Sequence, residues 1–406
     1  MRTPETAPAG KRPQIADIAE KCTNCGNCRV ICPDFKYQKE ESYSTRGRIS
    51  LIKGLYLNEL NKTKPLKDKV FSCLNCGQCS KYCPADVDYK TLIKFSKSKL
   101  SGNSHLKRFL LAGLFSSDRH RSEFFFKYSG KILDFLYSCS FIRIFRYALF
   151  KLMNIPHDSV LPHISRKDFF SFVIRNKLSF YKGFRIALFT GCGGKYLYPD
   201  TTDKFVRILR HSGIQVKIPK DQVCCGNPLE YAGFLKDQYD NIKLNTASFN
   251  SLKDIRCIVS LCERAMNTFS DKNYYTGIRL PLKSWAELFI EENIPLKPLY
   301  MTSVIFHMCP KCGSAEQYSA LINTAYSEKD KKPEIIRDFC GSTELLDRSN
   351  ITVRDFVTGD FFLKNSLDNY THIACTSFEC VENLNSYFIR NNKNIRAIHL
   401  IEAFDL

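Results

Sequence analysis

Two short runs of the chain carry four cysteines each at the same spacing. The runs are Cys22, Cys25, Cys28 and Cys32 followed by Pro33, and Cys73, Cys76, Cys79 and Cys83 followed by Pro84. Three thiolates separated by two residues each can bind three corners of an iron–sulfur cubane from one tight loop, and the fourth corner needs a more distant cysteine. The pattern therefore predicts two [4Fe–4S] clusters and electron transfer.

The fourth cysteine of each run is expected to bind the cluster of the other run, as in two-cluster ferredoxins. The first cluster is then held by Cys22, Cys25, Cys28 and Cys83, and the second by Cys73, Cys76, Cys79 and Cys32. Gly26 and Gly77 let the backbone approach inorganic sulfide closely. Two zinc sites are the alternative, although such sites usually use C-x-x-C pairs separated by a longer loop. Disulfides would strain so short a segment.

The composition sets the class of protein and its partners. A chain of 406 residues with 44% hydrophobic residues is too long to fold around a single hydrophobic core, which predicts several globular domains. The net charge of +19 favours acidic partner proteins or an anionic membrane surface. Nucleic acid is not expected, because no nucleic-acid-binding signature accompanies the charge. Without a signal-like stretch or a long apolar run, the sequence predicts a cytoplasmic protein.

Residues 1–100 read as the ferredoxin-like domain, closed by a helix over 90–99. A connector follows over 101–184, in which aromatic and aliphatic residues alternate with Lys and Arg. Its short amphipathic helices are expected to end near Asn154 and Pro156. These helices are too charged to span a bilayer, but their composition fits a segment that lies on an acidic membrane surface. Alternatively, the connector is a helical cap between domains whose basic side chains are solvated, or it is the surface on which a partner protein docks. Cys139 is expected to be a small buried residue.

From residue 185 onward, short apolar strands over 186–189, 214–218 and 255–261 alternate with helices, which predicts an α/β fold. The segment repeats itself. Cys192 and Cys309 lie 117 positions apart, Cys225 and Cys340 lie 115 apart, and Cys257 and Cys375 lie 118 apart. We therefore expect an α+β protein of several domains, in which a duplicated α/β cysteine-rich domain has its halves at 185–296 and 297–406.

A third group of cysteines follows the strands of this domain. In the first half, the candidate ligands are Cys192, Cys224, Cys225 and Cys262. In the second half, the weaker candidates are Cys309, Cys340 and Cys380. Residues beyond the carboxyl ends of neighbouring parallel strands converge in space. Thiolates gathered in this way select iron–sulfur clusters or zinc. Cys257 and Cys375 are either ligands or buried strand residues, because cysteine is among the most buried residue types.

These motifs carry a family resemblance over nearly the whole chain. It is carried by 23–33, 44–48, the second cysteine run, 190–192 with Tyr196 and Pro199, 223–228, and His307 with Cys309. The chain resembles proteins with "CCG" domains: the iron–sulfur subunits of glycolate oxidase and anaerobic glycerol-3-phosphate dehydrogenase, lactate utilisation protein A, and the B and D components of heterodisulfide reductase. The resemblance implies a mostly helical domain with two [4Fe–4S] clusters and a further cluster in the duplicated domain, non-cubane in the heterodisulfide reductases.

The second half departs from that pattern. Where the family often repeats Cys-Cys-Gly, this sequence has Phe339-Cys340-Gly341, and neither half keeps the terminal C-x-x-C. We therefore expect one additional cluster, in the first half, bound by Cys192, Cys224, Cys225 and Cys262.

The sequence has no G-x-G-x-x-G after a strand and no phosphate-binding loop, so flavin or nicotinamide chemistry is expected on another polypeptide. The preferred function is the iron–sulfur subunit of an oxidoreductase complex. Its FAD- or FMN-containing partner oxidises a 2-hydroxy acid such as glycolate or lactate, or glycerol-3-phosphate, and electrons pass to a quinone or another carrier at the cytoplasmic membrane face. The alternatives are a heterodisulfide-reductase-like catalyst acting on disulfides or thiols and a zinc-stabilised scaffold without redox activity.

Overall fold

The computed structural model of the chain describes most of its two cysteine-rich regions. The described residues are 15–102, 105–115, 183–271, 277–299, 304–308, 314–327, 334–336 and 367–405, with short pieces at 118, 121–124, 126, 128, 164–165, 355, 358–360 and 362. Most of the predicted connector lies outside these residues, including Cys139 and the expected helix ends near residues 154 and 156. Cys309, Cys312 and Cys340 also lie outside them.

The N-terminal region is built of helices that follow closely on one another. They are α1 (Ile15–Glu20), α2 (Asn27–Ile31), α3 (Pro33–Gln38), α4 (Thr45–Tyr56), α5 (Lys64–Phe71), α6 (Gln78–Lys81), α7 (Tyr89–Ser101) and α8 (His105–Leu114). Side chains cap the longer ones: Ser44 accepts from the amide of Gly47, and Asp88 accepts from that of Thr91. The helix predicted over 90–99 is α7, which extends slightly beyond both predicted ends.

A buried ion pair ties these helices together. Arg48 on α4 is 1% exposed and pairs with Asp34 on α3, which is also 1% exposed. The same guanidinium donates to Ser72 Oγ at 2.6 Å and to the Lys69 carbonyl oxygen at 2.7 Å. The hydroxyl of Ser72 in turn donates to Asp34 at 2.7 Å. Because Ser72 directly precedes Cys73, this network fixes the start of the second cysteine loop.

We predict that Arg48→Met lowers the unfolding free energy by about 3–5 kcal/mol, because it leaves the Asp34 carboxylate buried without its cation. Lys53→Met on the same helix is the matched control. Lys53 pairs with Glu20 at 3.5 Å, but both side chains are exposed, so its loss should cost less than about 1 kcal/mol. The thermal unfolding midpoints of the anaerobic, cluster-loaded variants measure the difference. Equal shifts in the two variants would contradict the role given to Arg48.

The C-terminal region contains two sheets of parallel strands. The strands are β1 (Arg185–Phe189), β2 (Gln215–Lys217), β3 (Ile258–Ser260), β4 (Leu282–Ser284), β5 (Lys297–Pro298), β6 (Val304–His307), β7 (Glu334–Ile336), β8 (His372–Cys375), β9 (Arg396–His399) and β10 (Phe404–Asp405). One sheet has the order β2-β1-β3-β4 and the other β7-β6-β8-β9. Corresponding strands thus occupy the same places, in agreement with the predicted repeat, and the domain boundaries stay predictions. The short antiparallel pair of β5 and β10 ties the chain end down.

Helices join the strands of both sheets. They are α9 (Pro199–His211), α10 (Asn227–Tyr231), α11 (Leu235–Asn250), α12 (Glu263–Phe269), α13 (Trp285–Glu291), α14 (Ala315–Ala325) and α15 (Phe378–Arg390). The strands predicted over 186–189, 214–218 and 255–261 are β1, β2 and β3, the last two shorter than expected.

The two sheets share one hydrophobic core. Trp285 and Tyr318 come from different halves, are fully buried, and lie with ring centroids 5.1 Å apart. His399 on the second half lies with Nε2 3.0 Å from the carbonyl oxygen of Leu261 on the first. Burial lowers the pKa of His399 to about 4, so its imidazole is neutral near neutral pH. The halves therefore form one packed unit.

Candidate functional site

Each N-terminal cysteine run begins in a loop with the same backbone. In the first loop, Asn24 and Gly26 have positive φ values of 56° and 87°, and in the second, Asn75 and Gly77 have values of 49° and 76°. Asparagine and glycine tolerate this left-handed conformation best. The repeated Asn-Cys-Gly therefore curls each loop around its cysteines. Only the glycines were predicted to matter at these loops, although the repeated Asn-Cys-Gly tripeptide is visible in the sequence.

The structure brings the cysteines predicted for the first cluster around one small cavity. Cys22, Cys25, Cys28 and Cys83 line a space of about 30 Å³ beside the first loop. Cys25 is exposed, whereas Cys22, Cys28 and Cys83 are half-buried. The amide of Val87 donates to Cys83 Sγ at 3.4 Å. Because Cys25 is exposed, this cavity reaches the protein surface.

A second and larger cavity gathers the other predicted set. Cys32, Cys73, Cys76 and Cys79 line a space of about 530 Å³. The amide of Asn75 donates to Cys73 Sγ at 3.4 Å. Burial raises the pKa of Cys32 and of Cys79, so these thiols hold their protons until a metal replaces them. The arrangement of both cavities agrees with the crossed ligand sets, and the ligand assignment itself stays a prediction.

Three residues lie between the two cavities. Thr45, Cys79 and Tyr89 line both of them. Burial, more than any other effect, raises the pKa of Tyr89 well above its usual value of ten, and the phenol also contacts Cys73. Thr45 hydrogen-bonds Cys79. Thr45 belongs to the stretch 44–48 that carries the family resemblance, but neither Thr45 nor Tyr89 was predicted as a site residue, because nothing in their spacing distinguishes them from other residues near a helix start.

The third predicted group lies at the carboxyl ends of the strands of the first sheet. Cys192 follows β1, Cys224 and Cys225 follow β2, and Cys262 follows β3. Cys224 Sγ donates to Cys192 Sγ at 3.7 Å, and the amide of Gly226 donates to Cys224 Sγ at 3.4 Å. Gly226 has a φ of 81°, and a Cβ there would lie 2.8 Å from Gln238 Cα. Only glycine therefore fits this turn.

The electrostatics of this group differ from one thiol to the next. Hydrogen bonds to Cys192 and Cys225 raise the pKa of Cys224. The pKa of Cys225 is lowered, first by its hydrogen bond from Cys224 and further by the Asn227 amide and the Arg264 charge. Burial raises the pKa of Cys262. Four thiols gathered at one edge of the sheet can bind an iron–sulfur centre once their protons leave.

The remaining cysteines of the repeat have a different environment. Cys257, Cys375 and Cys380 are fully buried. Cys257 belongs to the core shared by both halves, and the other two pack in a second core between β8 and α15. Their position favours the interpretation of Cys257 and Cys375 as core residues. Cys380 as a ligand stays a prediction, as do Cys309 and Cys340 outside the described residues.

Charged residues join the second cavity to the third cysteine group. Arg264, two residues after Cys262, lines the second cavity, and its guanidinium carbon lies 4.7 Å from the ring centroid of Tyr231. On α7, Lys94 Nζ lies 3.1 Å from Asp271 Oδ2 and 3.6 Å from Glu230 Oε2. Lys94 is 2% exposed. The N-terminal helices are thus docked on the sheet domain beside the second cavity.

Two further geometric observations concern the described residues only. No three His, Cys, Asp or Glu side chains there are placed to bind one metal ion. Every helix within the described ranges is also too short or too polar to cross a bilayer.

Comparisons with known proteins confirm the two kinds of domain. Residues 18–87 match the 4Fe-4S dicluster domain, and residues 186–269 match the cysteine-rich domain of the CCG type. These matches confirm iron–sulfur clusters as the cofactors of the chain. The second sheet lies beyond the matched residues. No solved structure was found to match the chain.

Several curated proteins are similar at low identity. An uncharacterized iron–sulfur protein of Methanococcus maripaludis is 24% identical over 70% of this chain and 50% of its own length. The probable glycolate oxidase iron–sulfur subunit of Bacillus subtilis is 24% identical over 59% and 55%. A fumarate reductase (CoM/CoB) subunit of Methanothermobacter marburgensis is 24% identical over 70% and 50%. The chain spans about half the length of the curated relatives it matches.

Proposed function

We propose that this chain, an iron–sulfur protein that joins a dicluster domain to a cysteine-rich domain, is the electron-transfer subunit of a flavoprotein dehydrogenase complex. The partner subunit carries FAD or FMN and oxidises a 2-hydroxy acid such as glycolate or lactate, or glycerol-3-phosphate. A quinone or another membrane carrier accepts the electrons. The name of the similar Bacillus subtilis subunit supports this class of complex.

The observation that carries the proposal is the serial arrangement of three cysteine sites. The first cavity reaches the surface at Cys25. It shares Thr45, Cys79 and Tyr89 with the second cavity, which in turn shares Arg264 with the third cysteine group. Bound clusters supply one-electron chemistry at these sites. The protein residues fix the order of the three sites, and the described cysteines of the other two sites are half-buried or buried.

The experiment is reduction of the chain by its partner. The full chain is purified without oxygen, its iron and sulfide are measured, and a flavoprotein dehydrogenase specific for glycolate, lactate or glycerol-3-phosphate is added with its substrate. We expect the low-temperature EPR signals of reduced clusters to form only when flavoprotein and substrate are both present. Disulfide turnover by the isolated chain would instead support the heterodisulfide-reductase-like alternative. A colourless chain that contains zinc would contradict electron transfer altogether.

The membrane surface and the cytoplasmic location belong to the same proposal. The net charge of +19 supports attraction to an anionic bilayer. Binding to liposomes that contain anionic lipid at low salt tests this point, and binding should weaken as salt is added. If equal amounts of the protein were recovered with neutral and with anionic liposomes, the proposed membrane attachment would be wrong and the proposed electron-transfer function would still stand.

We predict that Lys94→Met weakens the docking of α7 on the sheet domain by about 3–5 kcal/mol, because it leaves the buried Glu230 carboxylate without its cation and leaves Asp271 with only the exposed Lys90. Hydrogen exchange of the amides in α7 and α10 measures this opening. Lys90→Met is the matched control. Lys90 also pairs with Asp271, at 3.6 Å, but its side chain is 53% exposed, so the loss should be below about 1 kcal/mol. Unchanged exchange in Lys94→Met would contradict the docking role.

A further inference from the structure

Tyr89 has a position that the proposed function does not explain. It is the first residue of α7 and is 4% exposed. Its hydroxyl is buried and finds no nitrogen or oxygen partner among the described residues, and the side chain that it contacts is Cys73. A buried hydroxyl without a strong acceptor is costly, and native proteins keep few of them. An acceptor at the cysteine site would explain why this position carries tyrosine instead of phenylalanine.

The two cavities show which acceptor is available. Tyr89 lines both cavities, and the larger one is the site of Cys73 and the other predicted ligands of the second cluster. Thr45 lines both cavities as well and hydrogen-bonds Cys79. The second site therefore has a side-chain hydroxyl beside each of two ligands. At the first site Cys25 is exposed, so water can reach its sulfur instead.

We propose that Tyr89 acts through Cys73 as a positioning residue, donating a hydrogen bond to the ligand sulfur and thereby raising the reduction potential of the second cluster. A reduced cluster carries one more negative charge than an oxidised one. A donor to its sulfur therefore stabilises the reduced form more strongly, as hydrogen bonds to cluster sulfurs do in general. The inference rests on the proposed function only for the ligand set Cys32, Cys73, Cys76 and Cys79.

The test is a redox titration followed by EPR on the full, anaerobically loaded chain, with Tyr89→Phe compared with the wild type. At a fixed solution potential, we expect the ratio of reduced to oxidised second cluster to fall about tenfold, which is a negative shift of about 59 mV for one electron. The first cluster should shift much less. Iron and sulfide contents should match those of the wild type.

Tyr56→Phe is the matched control, since Tyr56 packs against the same helical core but lines neither cavity. It should leave both potentials unchanged. If Tyr89→Phe fails to hold its second cluster, 3-fluorotyrosine introduced at position 89 replaces it as the test. Its more acidic hydroxyl is a stronger donor and should shift the same potential in the positive direction.

The outcomes separate this inference from the proposed function. A second cluster that is present with an unchanged potential in Tyr89→Phe, or in the fluorotyrosine protein, overturns the role of Tyr89 and leaves electron transfer standing. A wild-type chain that binds no [4Fe–4S] cluster overturns the proposed function itself.

Discussion

Replacing Cys32 with serine should remove the second N-terminal cluster and spare the first, although Cys32 belongs to the first cysteine run. The reason is spatial, because Cys32 lines the cavity of Cys73, Cys76 and Cys79. We expect the variant to lose about four irons per chain. Electron flow from the flavoprotein to the acceptor should fall roughly 100-fold or more. Removing a residue that only contacts a metal ligand already costs about 10- to 100-fold in activity, and Cys32 is predicted to be a ligand itself.

Cys83→Ser is the reciprocal variant and should remove the first cluster, since Cys83 lines the cavity of Cys22, Cys25 and Cys28. Spin–spin coupling between the two reduced clusters should broaden the EPR spectrum of the wild type. Each variant should therefore give a simpler spectrum, and the two spectra should differ. If Cys32→Ser instead removed the same signal as Cys22→Ser, each run would hold its own cluster and the crossed arrangement would be wrong.

Replacing Cys225 with serine should disconnect the third site and leave both N-terminal clusters intact. Cys225 receives a hydrogen bond from Cys224 and lies under the charge of Arg264, so it is the member of the group best prepared to bind metal as a thiolate. The flavoprotein should still reduce the two [4Fe–4S] clusters of this variant. Passage of electrons to the final acceptor should fall roughly 100-fold or more.

Cys257→Ser provides the control for that experiment. Cys257 is as buried as Cys225 and also belongs to the first half, but it packs in the shared apolar core. It should retain the iron content and the electron flow of the wild type and lose only stability. The iron content of both variants and the rate at which each reduces the acceptor are the measurements that distinguish a ligand from a core residue. Equal loss of iron in the two would show that Cys257 is a ligand after all, and equal retention would show that the third site holds no cluster.

The cysteine sites could be foreseen because their information is local. The spacing of each run fixes which thiols one loop can present, and the precedent of two-cluster ferredoxins predicts that Cys32 and Cys83 each bind the cluster of the other run. The strand positions of Cys192 and Cys262 likewise predict convergence at one edge of a parallel sheet. The dicluster and cysteine-rich domains were confirmed by the comparisons.

The residues around those sites could not be foreseen for the opposite reason. Tyr89, Arg48 and Lys94 act across helices that are distant in sequence, and an aromatic or basic residue in a helix gives no sign of what its tip will contact. Lys94 reads as an ordinary surface residue of α7, yet it is buried against Asp271, 177 residues away. Only tertiary packing distinguishes it from Lys90.

The exposure of Cys25 has a consequence for the lifetime of the protein in air. Dissolved oxygen and peroxide reach an iron–sulfur centre through solvent, and oxidation of its thiolates follows their accessibility. Damage should therefore begin at the first cavity, whose Cys25 is exposed, before it reaches the other two sites, whose described cysteines are half-buried or buried. A cell that uses this protein under fluctuating aeration would need to repair that end most often.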